Sequence, residues 1–259
     1  MQAAAPDTEP PLPAGPLAAG LAHFGAADPD HEQAVYWFGI AAAEGDVEGL
    51  AMYAFCQLEG LGLPRDPDQA RVRLEHASAL GSLTAKFNLG RMLVAGWGGA
   101  PDAVRGVALY IEAAAQGHAD ATFNLAACLD AGWGCQPDRL AAKALFLRAR
   151  ALGCPLKAPG VRIRQRELDA VRELARRFEA VGDLPHLIEE RQHEVVLVHE
   201  LVQQHPRRRN SFTAKQKQRL ARLTGIASVI GGVAGALAGL FGWQGRRSAR
   251  HDAGPTSIA

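Results

Sequence analysis

Lysine is scarce in this 259-residue chain: only Lys86, Lys143, Lys157, Lys215 and Lys217 stand among 28 basic residues. With abundant alanine and 28 glycines, that bias reads as the product of a GC-rich bacterial genome. Aromatic residues make up 6% of the chain, which disfavours an aromatic-rich β-sandwich and favours helices packed through small side chains. Four cysteines (Cys56, Cys128, Cys135, Cys154) are too few to staple a chain of this length, so a disulfide scaffold is excluded. Met1 to Phe24 lacks the basic stretch followed by an apolar one that a secretion signal needs, and its prolines at 6, 10, 11, 13 and 16 read as a disordered lead-in. There is no C-x-x-C, no paired metal-ligand spacing and no glycine-rich phosphate loop between a strand and a helix. No catalytic residue, cofactor or metal is therefore expected.

Acidic and basic residues nearly balance, at 27 against 28, but they are not evenly spread. Residues 207–222 carry seven basic side chains and no acid, residues 246–252 carry three basic side chains and Asp252, and residues 1–206 are left with a net charge of −8. An acidic body joined to a basic stalk argues against a chain that coats nucleic acid and for charge sorted by compartment.

What the sequence does contain is a period of 36. Gly45, Gly81, Gly117 and Gly153 follow one another at that step, each after an alanine-rich run. Gly60/Gly96/Gly132, Gly62/Gly98/Gly134, Asp66/Asp102/Asp138, Phe87/Phe123, Asn88/Asn124, Leu89/Leu125 and Trp97/Trp133 keep the same register. Each unit reads as helix, turn, helix. Ala85, Phe87, Leu89, Met92 and Leu93 give one apolar face, the Gly96-x-Gly98 step ends that helix, and Pro101-Asp102 starts a second with Val107, Tyr110 and Ala114 on its inner side. Leu89, Leu125, Tyr110 and Phe146 are expected to be buried. Neither helix can bury its face alone, whereas stacked neighbours bury both, which is the logic of a solenoid. The small-residue columns Ala77/Ala113/Ala149 and Ala54/Gly90/Ala126 would let helices approach closely.

These residues resemble the Sel1-like repeat, a relative of the tetratricopeptide repeat: A-x-x-x-L-G at 85–90, G-W-G at 96–98, P-D at 101–102, L-Y-x-x-A-A at 109–114, then Gly117 and Ala121. Units 85–117 and 121–153 match best and 49–81 match well, while 13–45 match degenerately because Pro16 is expected to interrupt the first helix. Lys157 stands where alanine would open another unit, so the array is expected to end near Cys154-Pro155. The resemblance implies a protein-binding adaptor. It also implies a place for cysteine pairs seven apart, as at Cys128 and Cys135, which secreted relatives join as disulfides. One such pair without a signal peptide is expected to stay reduced. Cys56, Met92 and Cys128 share a column and read as core.

Beyond the array, Val161, Leu168, Val171, Leu174, Phe178 and Val181 predict one amphipathic helix, and Leu184, Leu187, Ile188, Val195, Val198 and Leu201 a second that ends near His205-Pro206. The two are expected to cap the open end of the solenoid. From Leu223 to Trp243 run 21 residues without a charge, enough as a helix at about 1.5 Å per residue to span a bilayer core of about 30 Å. The heavier basic cluster precedes this run, so the repeats are expected to stay cytoplasmic. The Arg207–Arg222 segment fits a positive-inside flank with contact to anionic lipid better than a nucleic-acid site. Gly231, Gly235 and Gly239 form a stripe for packing against a second membrane helix, or else reflect composition alone.

Asn88 and Asn124, one period apart, are candidates to hold a partner's backbone, with a structural role as the alternative. His186, Glu190 and His193 share a helical face that could contribute to a metal site, but a solvated polar face explains them as well. The resulting expectation is an all-α helical-repeat solenoid of 36-residue units with C-terminal capping helices and one transmembrane helix. Its parts are a lead-in at 1–29, repeats at 30–157, capping helices at 158–206, a basic juxtamembrane segment at 207–222, a transmembrane helix at 223–243 and a tail at 244–259. Its expected function is a non-enzymatic scaffold tail-anchored in the inner membrane, binding an unidentified protein and no nucleic acid. The alternative is an oligomeric membrane device assembled through the glycine-rich helix, with the repeats as its regulatory domain.

Overall fold

A computed structural model describes residues 15–158, 161–179 and 183–204. Among them are ten α-helices and no strand: α1 (Pro16–Phe24), α2 (His31–Ala43), α3 (Val47–Glu59), α4 (Pro67–Ala79), α5 (Leu83–Ala95), α6 (Ala103–Ala115), α7 (Ala119–Ala131), α8 (Arg139–Ala151), α9 (Leu168–Glu179) and α10 (Leu184–Gln204). From α2 to α8 every helix has 13 residues, and the starts of α3, α5 and α7, like those of α2, α4, α6 and α8, are 36 apart. The chain is an all-helical repeat solenoid. It divides into two compact units, with the division inside α7 after Ala121.

The equal lengths follow from local chemistry at both helix ends. Asp30, Asp66, Asp102 and Asp138 cap α2, α4, α6 and α8, each side chain accepting backbone N–H bonds from the first turn. Asp46 and Ser82 do the same for α3 and α5. At the other end Gly60 and Gly96 adopt φ of 78° and 74°, a left-handed conformation that lets the chain turn back onto the last open carbonyls. Thus Leu61 and Trp97 donate to Cys56 and Met92 carbonyls at 2.9 Å, and Asp66 and Asp102 donate back to Gln57 and Leu93 at 2.9 and 2.8 Å. Each turn is therefore closed on its own helix before the next begins.

In the first unit, Leu58, Leu74, Leu89, Met92 and Leu93 form a core with alanines 51, 54, 70, 77 and 85, and Phe38, Ala34 and Cys56 form a second cluster toward α1. Pro16 does not interrupt the first helix: it begins α1, where its missing N–H would have had no helical partner anyway. Leu89, Leu125 and Tyr110 are buried as expected, but Phe146 is only half-buried. A neighbouring column explains the difference. A Cβ on Gly90 would stand 2.6 Å from the Tyr110 ring, so that slot exists only because residue 90 has no side chain; its counterpart, Ala126, keeps its methyl.

In the second unit α9 packs on α8, and burial of Val171, Leu174, Phe178, Leu184 and Ile188 follows the expected stripes. Val161 lies outside the helix. A single 3-10 turn at Gln165–Glu167 precedes α9, fixed by the Glu167 carboxylate, which accepts from the Arg164 N–H at 2.8 Å and from Lys143 of α8. α10 is tied to the turn before α8. Arg191 Nε and Nη2 donate to the Asp138 carboxylate at 2.6 and 2.9 Å, with both side chains almost fully buried. Beside them the Gln192 amide accepts from the Gln136 N–H at 2.7 Å and donates to its carbonyl at 3.1 Å. The predicted transmembrane helix lies outside the described residues, among which no helix is long and apolar enough to cross a membrane.

The turn at Gly98 is tightly packed. Its φ is 66°, and a Cβ there would stand 2.5 Å from the Pro67 carbonyl oxygen, whereas Gly81 at φ 98° would meet nothing within 4 Å. Gly81→Ala should cost about 1–2 kcal/mol, the strain of a left-handed alanine alone. Gly98→Ala should cost clearly more, because backbone must shift as well; urea melts of the two variants, if equal, would contradict the packing described.

Candidate interaction face

Asn88 is 3% exposed. Its Nδ2 donates to the Thr84 carbonyl at 3.0 Å, and its Oδ1 accepts from Arg91 Nη1 at 3.2 Å. Asn88 thus holds a neighbouring side chain, and the group it presents outward is the Arg91 guanidinium. Arg91 follows Phe87 by one helical turn on α5, its Cζ 5.9 Å from the Phe87 ring and 5.4 Å from the Trp97 ring in the turn beyond. Its Nη2 reaches Glu59, at the end of α3, at 3.1 Å. Phe87 in turn stacks on His118 at 4.9 Å between centroids, tilted by 25°. Glu59, Phe87, Arg91, Trp97 and His118 therefore form one continuous patch drawn from α3, α5 and the turns that follow α5 and α6.

The patch contributes little to stability. The Arg91 and Glu59 side chains are 27% and 33% exposed, so their pair contributes at most about 1 kcal/mol, and each cation–ring contact about as much. The arrangement adds modest stability and holds a guanidinium, already paired with Glu59, against two aromatic rings at a surface where about a quarter of it is exposed. Arg91 interrupts a column otherwise filled by Phe55 and Ala127, and that break, one turn after an aromatic residue, was the available signal for it. In the second unit Trp133 repeats Trp97 and is 57% exposed. Asn124 is half-buried, and Ala127 stands where Arg91 would be.

Other candidates do not assemble. His186, Glu190 and His193 are exposed on α10, and Glu190 faces Arg177 of α9 at 3.5 Å. Among the described residues no group of three or more His, Cys, Asp or Glu side chains could hold a metal ion. Gly231, Gly235, Gly239 and the Arg207–Arg222 segment lie outside the described residues. Residues 1–64 contain nine acids and no lysine or arginine, so the acidic excess of the body belongs to its first helices, where Asp28, Asp30, Glu32 and Glu44 are exposed.

Such a stack of capped helix pairs at a constant step defines a helical-repeat protein. A family model described as Sel1 repeat matches residues 17–46, 47–72, 83–118 and 119–154, and the chain belongs to the Sel1-repeat proteins. It is similar to the crystal structure of a protective antigen present in uropathogenic Escherichia coli strains, described as displaying an SLR fold, with 27% identity and a TM-score of 0.47 over 53% of this chain and 30% of that one. It is also similar to a Sel1 repeat protein from Oxalobacter formigenes, at 25% identity and a TM-score of 0.49, over 55% of this chain and 56% of that one. The match thus spans less than two thirds of either structure. No curated protein matches the chain.

All four cysteines are free. Burial pushes the Cys56 thiol up to about 11 and Cys128 to about 12, the latter helped by Cys135; Cys135 rises to about 11 through burial and the nearby Asp138 carboxylate. A thiol at about 11 is ionised in roughly one molecule per thousand at pH 8, and only the thiolate attacks. Alkylation of the folded chain at pH 8 should therefore be about a hundredfold slower at Cys56 and about a thousandfold slower at Cys128 than in urea; comparable rates would show that these thiols are not buried as described.

Proposed function

We propose that this Sel1-repeat protein is a non-catalytic scaffold that recruits another protein to a membrane. The partner docks on the patch around Arg91, Phe87 and Trp97, and the chain is anchored by Leu223–Trp243 in the inner membrane with its repeats in the cytoplasm. The observation that carries the recruiting role is the guanidinium held against two aromatic rings and Glu59 at a partly exposed surface, an arrangement worth little to stability and suited to a partner's ring or to a carboxylate that takes the place of Glu59. Support for the anchor is the 21-residue run without a charge, preceded by seven basic residues and followed by three. The lysine- and arginine-free first 64 residues add a preference for partners with basic surfaces, since like charges oppose acidic ones.

The two halves of this proposal separate experimentally. The full-length chain should sediment with membranes and resist carbonate extraction, while a chain lacking residues 223–243 should become soluble and still co-purify the same partner. Arg91→Ala and Trp97→Ala together should weaken that capture at least tenfold without releasing the chain from membranes. Extraction of the intact chain by carbonate would refute the anchor. Undiminished capture by the double variant would refute the docking patch, and loss of capture on deleting 223–243 would favour an oligomeric membrane device instead.

A further inference from the structure

The first helices of successive repeats need an acceptor just before their first turn, and the structure shows three different ones in the same column. Asp46 accepts from the Gly49 N–H at 2.8 Å and Ser82 from the Ala85 N–H at 3.0 Å. At α7 the acceptor is an imidazole: His118 Nδ1 takes the Ala121 N–H at 3.2 Å. A carboxylate or hydroxyl can accept at any pH between 5 and 8, but an imidazole nitrogen accepts only while it lacks a proton. We propose that His118 is an acid-released cap, which holds the first turn of α7 while neutral and lets it open when Nδ1 is protonated.

The surroundings fix the ring in this role. Its face lies on Phe87 at 4.9 Å, so the imidazole cannot swing away to present another atom without giving up that stack. A cation at this place also opposes the positive end of the α7 dipole. Burial disfavours the charged ring, whereas Asp120 on α7 and Glu48 on α3 favour it. On α5 and α6 the nearby charges are already matched, Lys86 with Glu112 at 2.7 Å and Arg91 with Glu59 at 3.1 Å. Burial prevails, and the folded-state value lies below the ordinary 6.5. The sign follows by linkage: the cap contributes fully above about pH 6.5, where the ring is neutral folded or unfolded, and its contribution is lost as pH falls toward the depressed folded value. Phe87 also carries Arg91 on its ring, so release of His118 frees one face of the residue that the docking patch is built on. The cap itself is independent of whether that patch binds anything.

Amide hydrogen exchange of the full-length chain at pH 7.5 and 5.0, corrected for intrinsic rates, tests this directly. Protection in the first turn of α7, at Ala121 and its neighbours, should fall at pH 5.0, by up to the roughly fivefold expected for one N-cap lost completely. The Gly49 and Ala85 amides, capped by Asp46 and Ser82, should not change. His118→Asn, which keeps an acceptor that does not titrate, should abolish the pH effect. Equal protection at both pH values would overturn the proposal, as would a fall shared by Gly49 and Ala85 or an unchanged fall in His118→Asn.

Discussion

A left-handed residue after thirteen helical ones is the constraint on which the rest depends. When Gly60 or Gly96 turns the chain back, the last carbonyls of the helix are satisfied within about two residues, and an aspartate is delivered to the start of the next helix. Helix length, turn geometry and capping are thus one unit of design, repeated every 36 residues. The apolar faces come into register because the turns do. A solenoid core built of alanine and leucine is possible here because small columns such as Gly90 leave room for a partner ring, as the close approach of Tyr110 shows.

Where the columns stop agreeing, the protein acquires features that a uniform array would lack. Arg91 replaces an apolar residue and gathers two rings and a carboxylate at the surface. His118 replaces a permanent cap with a titrating one. Asp138 keeps its capping role but adds a second, receiving the Arg191 guanidinium through both oxygens. In each case the backbone scaffold is unchanged and one side chain carries the difference, so new properties arise without disturbing the stack.

The period, the glycine and aspartate columns that bound the repeat helices and the buried leucines were legible in the sequence, because they depend on contacts within one unit or between adjacent units that share a pattern, whereas the helix expected from Val161 begins only at Leu168. Pro16 was misjudged because a proline signals a break or a start according to where the helix begins, which the residue alone does not state. Phe146 was misjudged because its burial is set by what stands in the Gly90 column rather than by its own. The role of Asn88 was half-legible: its column was visible, but not that its amide would be consumed by Thr84 and Arg91. The link between Arg191 and Asp138 spans 53 positions outside any repeat, and nothing in local spacing announces it.

The central claim is that a residue's role is set by its column unless its surroundings depart from the repeat, and alanine substitution down one column tests it. Asp66 and Asp102 cap exposed turns at 3.0 Å each and do nothing further in the hydrogen-bond pattern described, so Asp66→Ala and Asp102→Ala should each cost about 1 kcal/mol. Asp138→Ala removes the same cap and also strands a buried guanidinium, which should raise the cost to about 3–5 kcal/mol. Equilibrium urea unfolding of the three variants is the measurement: two small, similar losses and one large one support the account, and three equal losses would contradict it.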